Sequence, residues 1–147
     1  RYLLDGCILD SAKYENVPLT ATLSRGDYDK LPSAASLKDY APLPGNQGQM
    51  GTCTSWATSY GARTISAAIK NRWTIVNSTS YAYYPSFVYN KKRYYPGCQS
   101  GTSIADALSI LKSQGVPTLA EFPYSCSRSV TEMDRIRASG TKILGSK

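Results

Sequence analysis

Histidine is absent: none occurs among the 147 residues. That removes every His-ligated metal site and every Ser–His or Cys–His pair that this chain would complete by itself. Long apolar runs are also absent. The aliphatic residues between Ile104 and Leu111 are broken by polar ones at helical spacing, and no stretch approaches the ~20 residues a bilayer crossing needs. The four cysteines, Cys7, Cys53, Cys98 and Cys126, include no C-x-x-C pair, so a zinc site would need four thiolates gathered from distant places. No metal and no cofactor is therefore expected. Repeats and low-complexity tracts are lacking too. With 41% hydrophobic and 18% charged residues, the chain reads as one ordinary domain able to bury a core.

Lysine and arginine number 17 against 10 acidic residues, a formal charge of +7. The cations are scattered, and only Lys91-Lys92-Arg93 forms a run, between Tyr89 and Tyr94-Tyr95. Such a patch can stack bases and grip phosphates. It can equally be a solvated helix end, where cations favour the C-terminus. No nucleic-acid motif accompanies it, so the second reading is preferred, and neither nucleic acid nor membrane is expected as a partner. Among the cysteines, one disulfide plus free thiols is the natural arrangement. Cys98 and Cys126 are the expected pair, because they bracket a single helix-and-turn segment. A disulfide implies an oxidising compartment. The 12 tyrosines and the Asn77-Ser78-Thr79 sequon fit a secreted, periplasmic or cell-surface protein. With Arg1 first, a natural start and any signal peptide are expected upstream.

Along the chain, residues 1–30 read as extended, without an amphipathic helix, and residues 31–52 as a loop punctuated by Pro32, Pro42, Pro44, Gly45, Gly48 and Gly51. From Thr54 to about Lys70 there is no proline, and Trp56, Tyr60, Ile65 and Ile69 recur near helical spacing among small residues. Ala57, Gly61, Ala62, Ala67 and Ala68 predict a central helix buried on all sides. Asn77–Ser80 reads as a polar turn. A short helix runs from Ser80 or Tyr84 to about Arg93 with Pro85 in its first turn. After a tight loop at Gly97–Gly101, Ser103 is placed to accept from the Asp106 N–H and cap a helix with an Ile104, Leu108, Leu111 stripe. Gly115 ends that helix. Phe122-Pro123-Tyr124 is a loop, and Thr141 to Leu144 opens a strand.

Chemistry concentrates in Gln47-Gly48-Gln49-Met50-Gly51-Thr52-Cys53-Thr54-Ser55-Trp56-Ala57. Here a cysteine stands where a glycine-rich loop meets a helix N-terminus, whose unpaired N–H groups and partial positive charge favour thiolate over thiol. Gly48 and Gly51 let backbone approach a substrate closely. The Gln47 side-chain amide, six residues upstream, can reach over the thiol and donate to a developing oxyanion. The alternative is a buried structural cysteine at a helix start, a common fate for that residue.

This stretch resembles the active-site helix of papain-like cysteine peptidases, whose signature is C-G-[SA]-C-[WY]. Met50 stands at its first cysteine, Thr52 at its small residue and Thr54 at its aromatic. The Gln-Gly pair, Gly51, Cys53 and Trp56-Ala57 match. Met50 removes the disulfide usually anchored there, whose partner position resembles Cys98, and this again directs Cys98 to Cys126. Leu31-Pro32 with Ser36-Leu37-Lys38 resembles the family's mature start. Tyr84-Pro85-Ser86-Phe87-Val88-Tyr89-Asn90 resembles a helix of bacterial members. Gly97-Cys98-Gln99-Ser100-Gly101 resembles the loop that pairs with extended substrate, with Ser100 in place of a glycine. Ala105 to Gly115 and Glu121-Phe122-Pro123-Tyr124 match the following helix and turn.

The resemblance implies an α+β, papain-like fold. Residues 31–147 would be its mainly helical N-terminal half around the helix starting near Cys53, and residues 1–30 an extension or pro-region remnant. The C-terminal β half, which carries the family's histidine and its orienting Asn or Asp, would come from elsewhere, as a second chain or a separated segment of the same protease. It further implies a cysteine endopeptidase acting on peptide or protein substrates. Cys53 would be the nucleophile, Gln47 the oxyanion donor, and Gln99, Ser100 and Gly101 the substrate-binding loop. An inactive peptide-binding module and a Cys-dependent acyltransferase or amidase are the alternatives.

Overall fold

The computed structural model describes residues 7–17, 31–73, 85–93 and 97–143. The Asn77 sequon and turn, Tyr84, Tyr94-Tyr95, Leu144 and most of residues 1–30 lie outside the described residues. Among the described residues the α-helices are α1 (Ser11–Glu15), α2 (Cys53–Ser55, Trp56–Arg63 and Thr64–Asn71 in one continuous rod), α3 (Pro85–Lys91), α4 (Ile104–Ser113) and α5 (Glu132–Ser139). A 3-10 turn at Lys38–Tyr40 interrupts the expected loop. Among the described residues β structure amounts to an isolated parallel bridge between Cys7 and Thr102, so the described part is essentially helical.

The core lies where α2, α3, α4 and α5 meet, around Ala67, Phe87, Val88, Ala107, Ile110, Leu111, Val116, Phe122 and Ala138. Phe87 and Phe122 cross edge to face, with ring centroids 5.8 Å apart, a favoured aromatic geometry. α3 opens on Pro85, whose fixed φ and missing N–H suit the first helical turn, and it buries every side chain from Pro85 to Tyr89. α4 starts as expected, with Ser103 Oγ accepting from Asp106 N at 3.1 Å. It ends at Gly115 (φ +81°), where a Cβ would collide with the Ala138 carbonyl, so only glycine lets α4 turn against α5.

Several expectations are corrected. Residues 11–15 are helical because Asp10 accepts from Lys13 N and caps the turn. α4 turns Ala107, Ile110 and Leu111 inward and leaves Ile104 and Leu108 about half exposed. Those two side chains instead line an apolar groove of about 270 Å³ beside Ile8, Leu9, Tyr14 and Val17. α2 is not buried all round, since Ala57, Ala62 and Ile69 are exposed. Its buried stripe is Ser55, Ser59, Thr64 and Ala68. The step of five residues from Ser59 to Thr64, between steps of four, falls in the section Trp56–Arg63 that winds as a π-helix and absorbs one extra residue. Thr58 Oγ1 donates to Thr54 O at 2.8 Å and Thr64 Oγ1 to Ser59 O at 3.4 Å, so hydroxyls take up carbonyls along this stretch.

No strand begins at Thr141. Its hydroxyl accepts from Val116 N at 2.9 Å and ties off α5. α5, which has no apolar stripe to announce it, begins with a capping box of Thr131 and Asp134. Asp134 is almost fully buried. Burial pushes its carboxyl up, but the Thr131 N–H and hydroxyl, with the Arg128 guanidinium 2.9 Å away, outweigh this and hold it below its ordinary 3.8. A group with a lowered folded-state pKa contributes stability above its unfolded value and loses it as pH falls through the folded value. Urea unfolding of the wild type should therefore show a loss of stability below about pH 4. Asp134→Asn should flatten that dependence and cost about 1–3 kcal/mol at neutral pH.

Candidate active site

Cys53 is the first residue of α2, and its thiol is free and half-buried. Thr52 precedes it as N-cap but makes no side-chain cap bond. The first N–H groups of a helix have no intrahelical partner, so those at Cys53 face outward from the helix end. The Thr52 hydroxyl goes instead to Tyr124. Tyr124 Oη donates its single proton to Gln47 O at 2.6 Å, which makes Thr52 Oγ1, 3.0 Å away, the donor of the second bond.

The loop before the helix is compact. Asn46 Oδ1 accepts from Gly48 N at 2.8 Å, and Gly48 takes φ +62°. The Gln47 side-chain amide donates to Met50 O at 3.1 Å. An amide carries two hydrogens, so this bond leaves a second for an acceptor over the loop. Upstream, Tyr60 Oη donates to Leu43 O at 2.7 Å. Gly45 lies against the Trp56 ring, leaving no room for a Cβ. Trp56 packs at 4.5 Å from the Tyr60 ring and at 6.0 Å, edge to face, from Tyr124. Burial raises the Tyr60 phenol above its ordinary value.

The second loop meets the first at Gly51, whose N–H donates to Cys98 O at 2.9 Å. Cys98 is joined by a disulfide to Cys126, with the Cα atoms 5.6 Å apart. Asn90 of α3 and Arg93, two residues past its end, hold the far side of that bond: Asn90 donates to Ser125 O and Arg128 O, and Arg93 to Cys126 O. Arg93 of the basic run is thus engaged with protein backbone, and its guanidinium lies over the Tyr89 ring at 5.9 Å. Gly101 is buried, Ser100 half-buried and Gln99 exposed, so the last two carry the accessible part of the loop. Next to it, Thr102 O accepts from Thr54 Oγ1 at 3.0 Å and from Ile8 N at 3.1 Å. The segment around Cys7 therefore runs alongside the loop. Gln47, Cys53 and the loop 99–101 form one neighbourhood, joined at Gly51.

No family model matches the chain, and neither does any curated protein. Among solved structures the chain is similar to xylellain, a cysteine protease from Xylella fastidiosa, with a TM-score of 0.54 over 78% of this chain. The fold is similar to part of that structure. At 19% identity the likeness is one of fold, and the chain spans 55% of xylellain's length. The papain-like resemblance carried by the motifs is borne out at that level. The sequence marks Tyr124 only as part of a turn. Its separation from Gln47 by 77 residues hides the contact, and the one available signal was its place in the Glu121–Tyr124 match.

A Cβ at Gly51 would sit 2.6 Å from Gln99 O and 2.7 Å from Ser100 O, backbone atoms that cannot swing aside. Gly51→Ala should therefore cost about 1–3 kcal/mol through overpacking, read by urea unfolding, and should open the seam between the two loops.

Proposed function

We propose that this chain carries the nucleophile side of a papain-like cysteine endopeptidase. The observation that carries the reading is a free, half-exposed thiol on the first residue of the long helix in a cysteine-protease fold. Cys53 thiolate attacks the substrate carbonyl, and the scissile C–N bond breaks to leave an acyl-enzyme that water then hydrolyses. The histidine that accepts and returns the proton, with its orienting Asn or Asp, comes from a segment or chain beyond this sequence, which contains none. The Cys53 N–H and the second Gln47 amide hydrogen hold the oxyanion. Gln99, Ser100 and Gly101 border the extended substrate, which adds to the loop as a strand adds to an edge. The Cys98–Cys126 disulfide supports an oxidising location, secreted, periplasmic or at the cell surface.

In the protein that includes the histidine-bearing segment, Cys53→Ala should abolish hydrolysis of a fluorogenic peptide while leaving the circular dichroism spectrum unchanged. A thiol-directed epoxide should label Cys53 in the wild type. Undiminished turnover in the alanine variant sinks the assignment. Gln47→Ala should lower kcat by about 10²-fold or more, as loss of an oxyanion donor does.

A further inference from the structure

The loop bearing Gln47 is tied at its ends by Tyr60 Oη to Leu43 O and by Gly51 N to Cys98 O, and between them mostly to itself. Its bonds Gly48 N to Asn46 Oδ1, Gln47 Nε2 to Met50 O and Thr52 N to Met50 O all span three residues or fewer. Residues Leu43 to Asn46, Gly48 and Gln49 are exposed, with Gly45 resting on the Trp56 ring beneath them. The remote hydrogen bond at Gln47 comes from Tyr124, whose hydroxyl lies 2.6 Å from Gln47 O. That hydroxyl is itself pinned, by Thr52 Oγ1 at 3.0 Å and by the Trp56 indole N–H at 3.5 Å. Thr52 and Trp56 flank Cys53 on the helix start, and Thr52 is 1% exposed. One phenol oxygen therefore links the backbone of the oxyanion donor to the residues on either side of the nucleophile.

We propose that Tyr124 is a positioning residue that fixes the distance between the Gln47 amide and Cys53, an inference that rests on the function proposed above. It touches neither substrate nor reacting atoms. An oxyanion donor works only when its hydrogen is already aimed where the charge develops, and a displacement of about 1 Å can cost 10²-fold in rate. Removing the Tyr124 proton leaves Gln47 O without its remote donor and lets the loop shift relative to the helix. Ground-state binding through Gln99 and Ser100 is untouched, because the Cys98–Cys126 disulfide holds that loop independently of the Tyr124 hydroxyl.

The test is a double-mutant cycle in the protein that includes the histidine-bearing segment, read with a peptide substrate and with alkylation of Cys53 by iodoacetamide, a reaction that develops no oxyanion. Tyr124→Phe should lower kcat by about 10- to 100-fold with KM within about twofold and alkylation unchanged. In the Gln47→Ala background the same change should cost less than about threefold, since Tyr124 acts through Gln47. Thr52→Val, which keeps the side-chain shape and removes the second tie, should lower kcat in the same direction by less, and it carries the test if Tyr124→Phe does not fold. Unchanged kcat in the single variants, or losses that multiply in the double variant, overturn the positioning role and leave the proposed peptidase standing. A parallel fall in alkylation also overturns it, because the thiol rather than the donor is then disturbed. A wild type that neither turns over peptide nor alkylates overturns the peptidase reading, and the positioning role with it.

Discussion

Gly51 lies so near the backbone of the loop 97–101 that its α-carbon accommodates a hydrogen and nothing larger, and the remaining geometry of the site hangs from that approach. Its N–H is bonded to Cys98 O. Cys98 is held in turn by the disulfide to Cys126, and the Cys126 segment by Asn90 in the last turn of α3 and by Arg93 just beyond it. A line of constraint therefore runs from the core helix α3 through the disulfide to the residue two before Cys53. A hydrogen bond and a glycine-only contact join the two loops. Such a contact is stiff because both partners are backbone, whose atoms cannot rotate out of the way.

The helix that begins at Cys53 also departs from a regular rod in a way that serves its neighbours. Its π-wound section lets Ser55, Ser59, Thr64 and Ala68 share one buried stripe despite the five-residue step, and it leaves Trp56 free to lie beside Gly45, Tyr60 and Tyr124. Small hydroxyl side chains at the buried stripe permit close packing, and Thr54 uses its hydroxyl to reach Thr102 O across the contact. The hydroxyls of Ser55 and Ser59 are buried with no hydrogen-bond partner among the described residues, which costs stability. π-winding is frequent at functional sites, and here it follows directly on the turn that begins at Cys53.

Features that depend on a few consecutive residues were legible. Ser103 and Asp106, Pro85, Gly115, and the passage from the Gln47 loop into the Cys53 helix are local signals, because a cap or a turn is satisfied within three or four residues. The Thr131–Asp134 capping box was equally local, and α5 went unread only because few apolar residues accompany it. The direction in which α4 faces was not legible. Ile104, Leu108, Ala107, Ile110 and Leu111 offer two apolar edges, and periodicity does not say which one a neighbour will cover.

By itself the sequence determined the start and stop of most helices, the cysteine at a helix N-terminus, the glutamine six residues before it and the absence of a histidine to pair with it. Those are properties of spacing and residue type. Only tertiary structure decided that Tyr124 reaches Gln47 across 77 residues, that Thr52 turns from its helix to meet it, and that Gly51 closes on the loop 97–101. Contacts at that separation arise from how helices pack, and packing is settled by the shape of the whole core rather than by any window of the chain.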